Sequence, residues 1–151
     1  MTYRRLPIIV LVIAVLVTGT ATKSGAEDLH RRRKMLHLLN QVRSQHGLPR
    51  FRVSRQVSTS AWRHSKQMAT DGRIYHTQDL YRVVRSYSPH VWGENVGVAR
   101  YLMTVRRLWM HSPGHRANIL NCGYTMIGIG YDPGQVKPDW GNGSWVQDFG
   151  G

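Results

Sequence analysis

Trp109-Met-His-Ser-Pro-Gly-His-Arg-Ala-Asn-Ile-Leu120 closes a helix-like run with an aromatic ring, two histidines, a Pro-Gly breaker and an arginine. Side chains of that cost, gathered at a helix end, point to a site more than to a packing need. His76 and the acid of Gly93-Glu94-Asn95-Val96 stand upstream. On separate segments these residues meet only through folding, and there they make a polar cleft that could hold a metal.

Working outward, the periodicity predicts three clear helices. Residues 28–46 place Met35, Leu36, Leu38, Leu39 and Val42 on one face, and Gly47 followed by Pro49 stops the run. Ser54 to Thr70 is a second helix, with Ser54 as N-cap and Gly72 just past its end. Val57, Ala61, His64 and Met68 lie near one stripe of it. Leu80 to Tyr87 reads as a short helix, and Gly93 to Val98 as a turn into a helix over about 100–111. The last third changes period. Thr125 to Tyr131 is strand-like, with glycines that permit close backbone approach, and Trp145 to Phe149 is the final strand. Asp132 to Gly143, rich in Pro and Gly, reads as a loop. Helices first and paired strands last indicate an α+β fold.

The order His76, Gly93-Glu94-Asn95-Val96, Trp109 to Leu120, then Ile127-Gly-Ile-Gly-Tyr131 resembles the CAP superfamily of cysteine-rich secretory, antigen 5 and pathogenesis-related proteins, in its bacterial secreted branch. The resemblance spans about residues 35–151. It implies an α-β-α sandwich of the CAP/SCP type, a small antiparallel sheet flanked by helices with a cleft at one end. His76, Glu94 and His115 match the family's cavity histidines and acid. Eukaryotic members carry a second Glu where this chain has Ser112, which weakens both an acid/base and a metal reading.

The N-terminus reads as a targeting signal. Arg4 and Arg5 precede an apolar run of 12 residues, Leu6 to Val17, and small residues Ser24-Gly25-Ala26 suggest cleavage before Glu27. Residues 1–26 are then a signal peptide, or an uncleaved anchor, and 27–151 the CAP/SCP domain; either way the domain is secreted or faces outside. The full chain carries +13, and removing Arg4, Arg5 and Lys23 leaves +10 on the domain. That field draws in anionic polymers. No nucleic-acid motif accompanies it, so nucleic acid is rejected as partner. Arg31-Arg-Arg-Lys34 reads as a solvated face, with membrane contact through it or through the leader as the sharper alternative. The single cysteine, Cys122, cannot staple the domain and reads as a small packed residue, with an intermolecular disulfide as the alternative if it is exposed.

For chemistry, His76, Glu94 and His115 are the candidate catalytic residues and candidate ligands for zinc or another divalent cation, leaving an open fourth position to activate water. The plainer alternative is that the three hydrogen-bond one another. His111 and Ser112 are expected to line the same cleft. His111 and His115 stand four apart, but Pro113 and Gly114 between them make a shared helical face unreliable, so His111 belongs at the rim. Ser65 and Ser112 lack a nucleophile-elbow pattern. Asn40, Arg43, Arg116 and Asn118 read as scaffold, the last two bonding backbone carbonyls or an acid. Trp92, Trp109 and Tyr131 read as core, or as an apolar groove for a lipid or glycan. Three functions follow: binding of a cell-envelope polymer, lipid or protein through the cleft; metal-assisted hydrolysis of peptides or envelope polymers; and adhesion through the basic surface alone.

Overall fold

The structure, a computed structural model, describes residues 23–137, 139 and 141–151. Most of the predicted leader lies outside these residues. The first helix, α1 (Lys23–Gln45), begins earlier than the predicted start at 28, so the predicted junction between Ala26 and Glu27 falls within its first turns. Gly47, at φ +68°, ends it as expected, since a left-handed turn costs glycine no Cβ clash.

A two-residue strand, β1 (Arg52–Val53), leads into α2 (Arg55–Asp71). The Ser54 side chain accepts from the Val57 amide at the start of α2, and Gly72 closes its end in the left-handed conformation. Then follow α3 (Leu80–Val84) with a single 3₁₀ turn, β2 (Trp92–Val98), α4 (Leu102–His111), α5 (Pro113–Ile119), β3 (Met126–Lys137) and β4 (Gly141–Gly150). Pro113 opens α5 at a first-turn position where its missing N–H is harmless. It therefore divides the two histidines, His111 ending one helix and His115 sitting in the next.

The sheet order is β1-β3-β4-β2. β3 and β4 are antiparallel, as are β2 and β4. The antiparallel sheet is as expected, with a two-residue parallel addition at one edge, where Arg52 and Val53 run parallel to Met126 and Ile127. A crossover through helices separates β1 from β3 and lets them align the same way. Two other expectations change. Gly93–Val98 is a strand, not a turn, because each of its residues finds a partner in Ser144–Phe149. The predicted loop 132–143 is mostly the two arms of a hairpin, in which register shifts between Asp132, Gln135 and Lys137 absorb Pro133 and Gly134.

Strand alternation divides the core in two. On one face Ile127, Ile129, Tyr131, Trp145 and Phe149 meet Met35 and Leu39 of α1 and Trp109 of α4, a single apolar cluster. Each such large side chain contributes roughly 1.5–3 kcal/mol on burial. On the other face Val96 and Val146 pack under Ala61 and Met68 of α2. There α2 rests directly on the strand backbone. A Cβ on Gly130 would collide with the Ala61 carbonyl, and one on Gly128 would lie 2.5 Å from a Val57 methyl. The glycines of Ile127-Gly-Ile-Gly thus set the height of α2 above the sheet.

Of the three aromatics considered, Trp109 and Tyr131 are core, whereas Trp92 is 45% exposed beside Tyr81. Cys122 is exposed, not packed. It sits in the turn after α5, whose carbonyls at Ile119, Asn121 and Tyr124 are drawn inward by Arg43.

Candidate functional site

Because β2 alternates, Glu94 and Val96 face α2, while Asn95 faces the opposite layer. Glu94 is therefore delivered beneath α2, where its side chain is 3% exposed. Four donors meet it there. His76 Nδ1 lies 2.6 Å from Oε2 and His64 Nδ1 3.2 Å from Oε1. The Thr77 hydroxyl donates to Oε1 at 2.6 Å and its amide to Oε2 at 3.0 Å. Burial pushes the Glu94 carboxyl toward its neutral form, but the hydrogen bonds from His64, Thr77 and His76 outweigh it and hold the pKa down to about 2. An ionised Glu94 only accepts, so both facing Nδ1 atoms carry their hydrogens. His64 Nε2 is then left buried without a partner among the described residues.

Asp148 is the register partner of Glu94 on β4 and shares its face. It is 1% exposed, and among the described residues its Oδ1 meets no donor. Burial, then the charge of Glu94, then a hydrogen bond to Glu94 push its carboxyl well above the usual carboxylate range. Two adjacent buried carboxylates would repel, so beside an ionised Glu94 the neutral form of Asp148 is favoured.

His64, His76, Thr77 and Asp148 line a cavity of about 770 Å³, whose walls also carry Arg63 and Arg73. His76 is its most accessible site group, its side chain 64% exposed.

His115 stands apart. Its Nδ1 lies 2.7 Å from the Ser112 hydroxyl, in the place where a second acid was looked for. Burial lowers its pKa, and the nearby His76 lowers it further, so the two imidazoles are within electrostatic reach. Asn95 and Asn118 hold this arrangement: Asn95 Nδ2 donates to the His115 carbonyl at 3.1 Å, and Asn118 Nδ2 to the Glu94 carbonyl at 3.1 Å. His111 lies elsewhere, on a groove shared with Val42, His46 and Met103. Its Nδ1 stays with the Arg107 carbonyl of its own helix at 2.8 Å. Among the described residues Arg116 contacts His46, and neither a backbone carbonyl nor an acid outside its own helix.

The expected residues are thus brought together in part. His76 and Glu94 bond directly, His115 and Ser112 form a neighbouring pair, and His111 does not take part. Sequence reasoning missed His64, Thr77 and Asp148. The signal for His64 was a polar residue on the stripe of Val57, Ala61 and Met68. For Asp148 it was an acid among the inward positions of the last strand. A three-ligand metal set of His76, Glu94 and His115 does not fit this arrangement, since both Glu94 oxygens are engaged by donors of the protein itself. Among the described residues no group of three or more His, Cys, Asp or Glu is placed to hold a metal ion.

Helical layers on both faces of a four-stranded sheet, with a buried acid clasped by imidazoles under one of them, define an α-β-α sandwich of the CAP/SCP kind. A family model described as the cysteine-rich secretory protein family matches residues 36–149, and the chain belongs to that family. It is 30% identical over 140 residues to the uncharacterized protein YkwD of Bacillus subtilis, a match covering 87% of this chain and 51% of that protein. The chain spans about half the length of that relative. The fold is similar to that of an outer surface protein from Borrelia burgdorferi, with a TM-score of 0.69 at 17% identity over 80% of this chain and 92% of that one. It is also similar to an extracellular protein containing a SCP domain from Bacillus anthracis, with a TM-score of 0.67 at 24% identity over 88% of this chain and 45% of that one. Among the described residues no helix is long and apolar enough to cross a membrane.

Proposed function

We propose that this chain is exported and acts outside the cytoplasm as a binding module, taking a polar ligand of the cell envelope into the cavity beside His76. The observation that carries the reading is the saturation of Glu94. A carboxylate held at about 2 is a weak base at neutral pH, because proton abstraction works best when the base titrates near the working pH. Its four bonds suit a scaffold that fixes His76 and Thr77 at the mouth of an open cavity. Arg63, Arg73 and Gln67 on the walls suit a ligand rich in hydroxyls, amides or acids. Export is supported by the Arg4-Arg5 and Leu6–Val17 pattern, and by the description of the Bacillus anthracis neighbour as extracellular.

The test is co-sedimentation with purified insoluble cell-wall material at 0.15 M and 0.5 M salt. Binding that survives the higher salt, and weakens at least tenfold in His76→Ala, is expected. Equal binding by wild type and His76→Ala would defeat the reading. Binding that collapses with salt for both proteins would point to adhesion by surface charge, which salt screens. Zinc uptake at micromolar concentration, with peptide turnover that depends on it, would replace binding by hydrolysis.

A further inference from the structure

Tyr81 and Trp92 stand in water as a pair. They leave 46% and 45% of their surface exposed, and their rings meet at 4.9 Å with a tilt of 49°. Other accessible rings are covered by a cation: Lys66 lies over Trp62, Arg73 over Tyr75 and Arg100 over Tyr101. Among the described residues no cation covers Tyr81 or Trp92. Exposed aromatics held together in this way are typical of contact surfaces, where Trp and Tyr supply large, stiff area.

Two elements set the pair beside the cavity. Trp92 opens β2 and, by strand alternation, shares the face of Glu94, about 7 Å along the strand. Tyr81 belongs to α3, and its neighbours Asp79 and Val83 line the His76 cavity together with Thr77 and Gln78. An apolar step thus adjoins a polar hollow. The step is too short for a lipid tail, which needs a continuous apolar wall. A cationic ligand would meet like charge from Arg82 and Arg85 beside Tyr81 and from Arg63 and Arg73 in the cavity. The acids there are already engaged, Asp79 by the Arg82 amide and Asp71 by Gln67 and Tyr75.

A pyranose ring fits the combination. Its C–H face is apolar and faintly positive, suited to the electron-rich face of an indole or phenol, and its rim is polar. Acetamide and hydroxyl groups on the following rings match Gln67, Thr77 and Gln78 along the walls. We propose that Tyr81 and Trp92 form a stacking platform for one ring of a β-linked N-acetylated amino-sugar chain, which continues into the His76 cavity. The proposal rests on the reading of that cavity as a binding site and names its ligand as a glycan.

Calorimetric titration of the full chain tests this with a β-linked hexamer of N-acetylglucosamine, the corresponding dimer and tetramethylammonium. The hexamer is expected to bind at least tenfold more tightly than the dimer, because only the longer chain reaches both platform and cavity. Tyr81→Ala/Trp92→Ala should lose at least tenfold for the hexamer. Tyr81→Phe/Trp92→Phe should retain most of the affinity, since stacking needs the ring and not its polar group. Thermal melting of each variant reports its folding. Unchanged hexamer affinity in the folded double alanine variant would overturn the platform; a loss in His76→Ala in the same titration would leave the cavity reading standing. Loss in the double alanine variant with His76→Ala unaffected would uphold the platform and overturn the continuation into the cavity. Absence of hexamer binding by the wild-type chain would overturn the proposal, while co-sedimentation with wall material tests the cavity reading separately. Tetramethylammonium bound in place of the hexamer, and lost in the double alanine variant, would overturn it in favour of a cage for cations.

Discussion

Arg43 and Glu94 are both buried charges, and they are buried in opposite ways. Arg43 is fully enclosed, stacked 3.9 Å over the Phe51 ring, and donates to four backbone carbonyls, of Pro49, Ile119, Asn121 and Tyr124. It lines neither the His76 cavity nor the His111 groove. Glu94 also has four bonds, but its donors are two imidazoles and a threonine, and all three residues line an open cavity. A charge satisfied by backbone locks a fold. A charge satisfied by side chains at the edge of water arranges those side chains for something outside. Counting bonds would not separate the two; the identity and exposure of the partners does.

The contrast can be broken most sharply at Arg43. Arg43→Met keeps the bulk but orphans carbonyls at the end of α5, and about 3–5 kcal/mol of stability should be lost, read from the urea midpoint. A loss below about 1 kcal/mol would mean that Arg43 is no more structural than a surface residue. Next comes Glu94→Gln, expected to cost about 2 kcal/mol at pH 7, because a neutral amide serves the imidazole donors less well. Its pH dependence sharpens the point. The folded-state pKa of Glu94 lies below its ordinary 4.5, at about 2, so its stabilising contribution is complete above about 4.5 and fades as pH falls toward 2. Wild type should lose stability over that window and Glu94→Gln should lose visibly less. Parallel acid profiles would show that Glu94 does not hold its charge as described. Smallest is Asp148→Asn. The raised pKa of Asp148 means its contribution is greatest below its ordinary 3.8 and declines as pH rises. An amide that stays neutral and can still donate to Glu94 should leave stability at pH 8 equal or higher, within about 1 kcal/mol. A clear loss at pH 8 would show an ionised Asp148 with a favourable partner.

What the sequence disclosed was whatever is decided locally. Ser54, Gly47 and Gly72 mark helix ends because capping involves only a few neighbouring residues. Glu94, His76 and His115 could be picked out because the resemblance fixes them by motif. The rest depended on partners far along the chain. Gly93–Val98 looks like a turn until β4, some fifty residues later, supplies its ladder. His64 looks like an oddity on an apolar stripe until α2 is set above Glu94. Asp148 gains its meaning only from register, which no single strand carries within itself. His111, expected at the rim of the cleft, lies in a separate groove, because Pro113 starts a new helix and sends the two histidines to different surroundings.

Gly128 and Gly130 of β3 have a reach longer than their size. They bring the α2 backbone down onto the strands, and His64 rides on that helix. One added methyl at residue 128 or 130 would act as a shim, lifting the helix and prising the imidazole away from the acid. The dimensions of the pocket are thus calibrated by atoms the chain leaves out, at positions that do not line it.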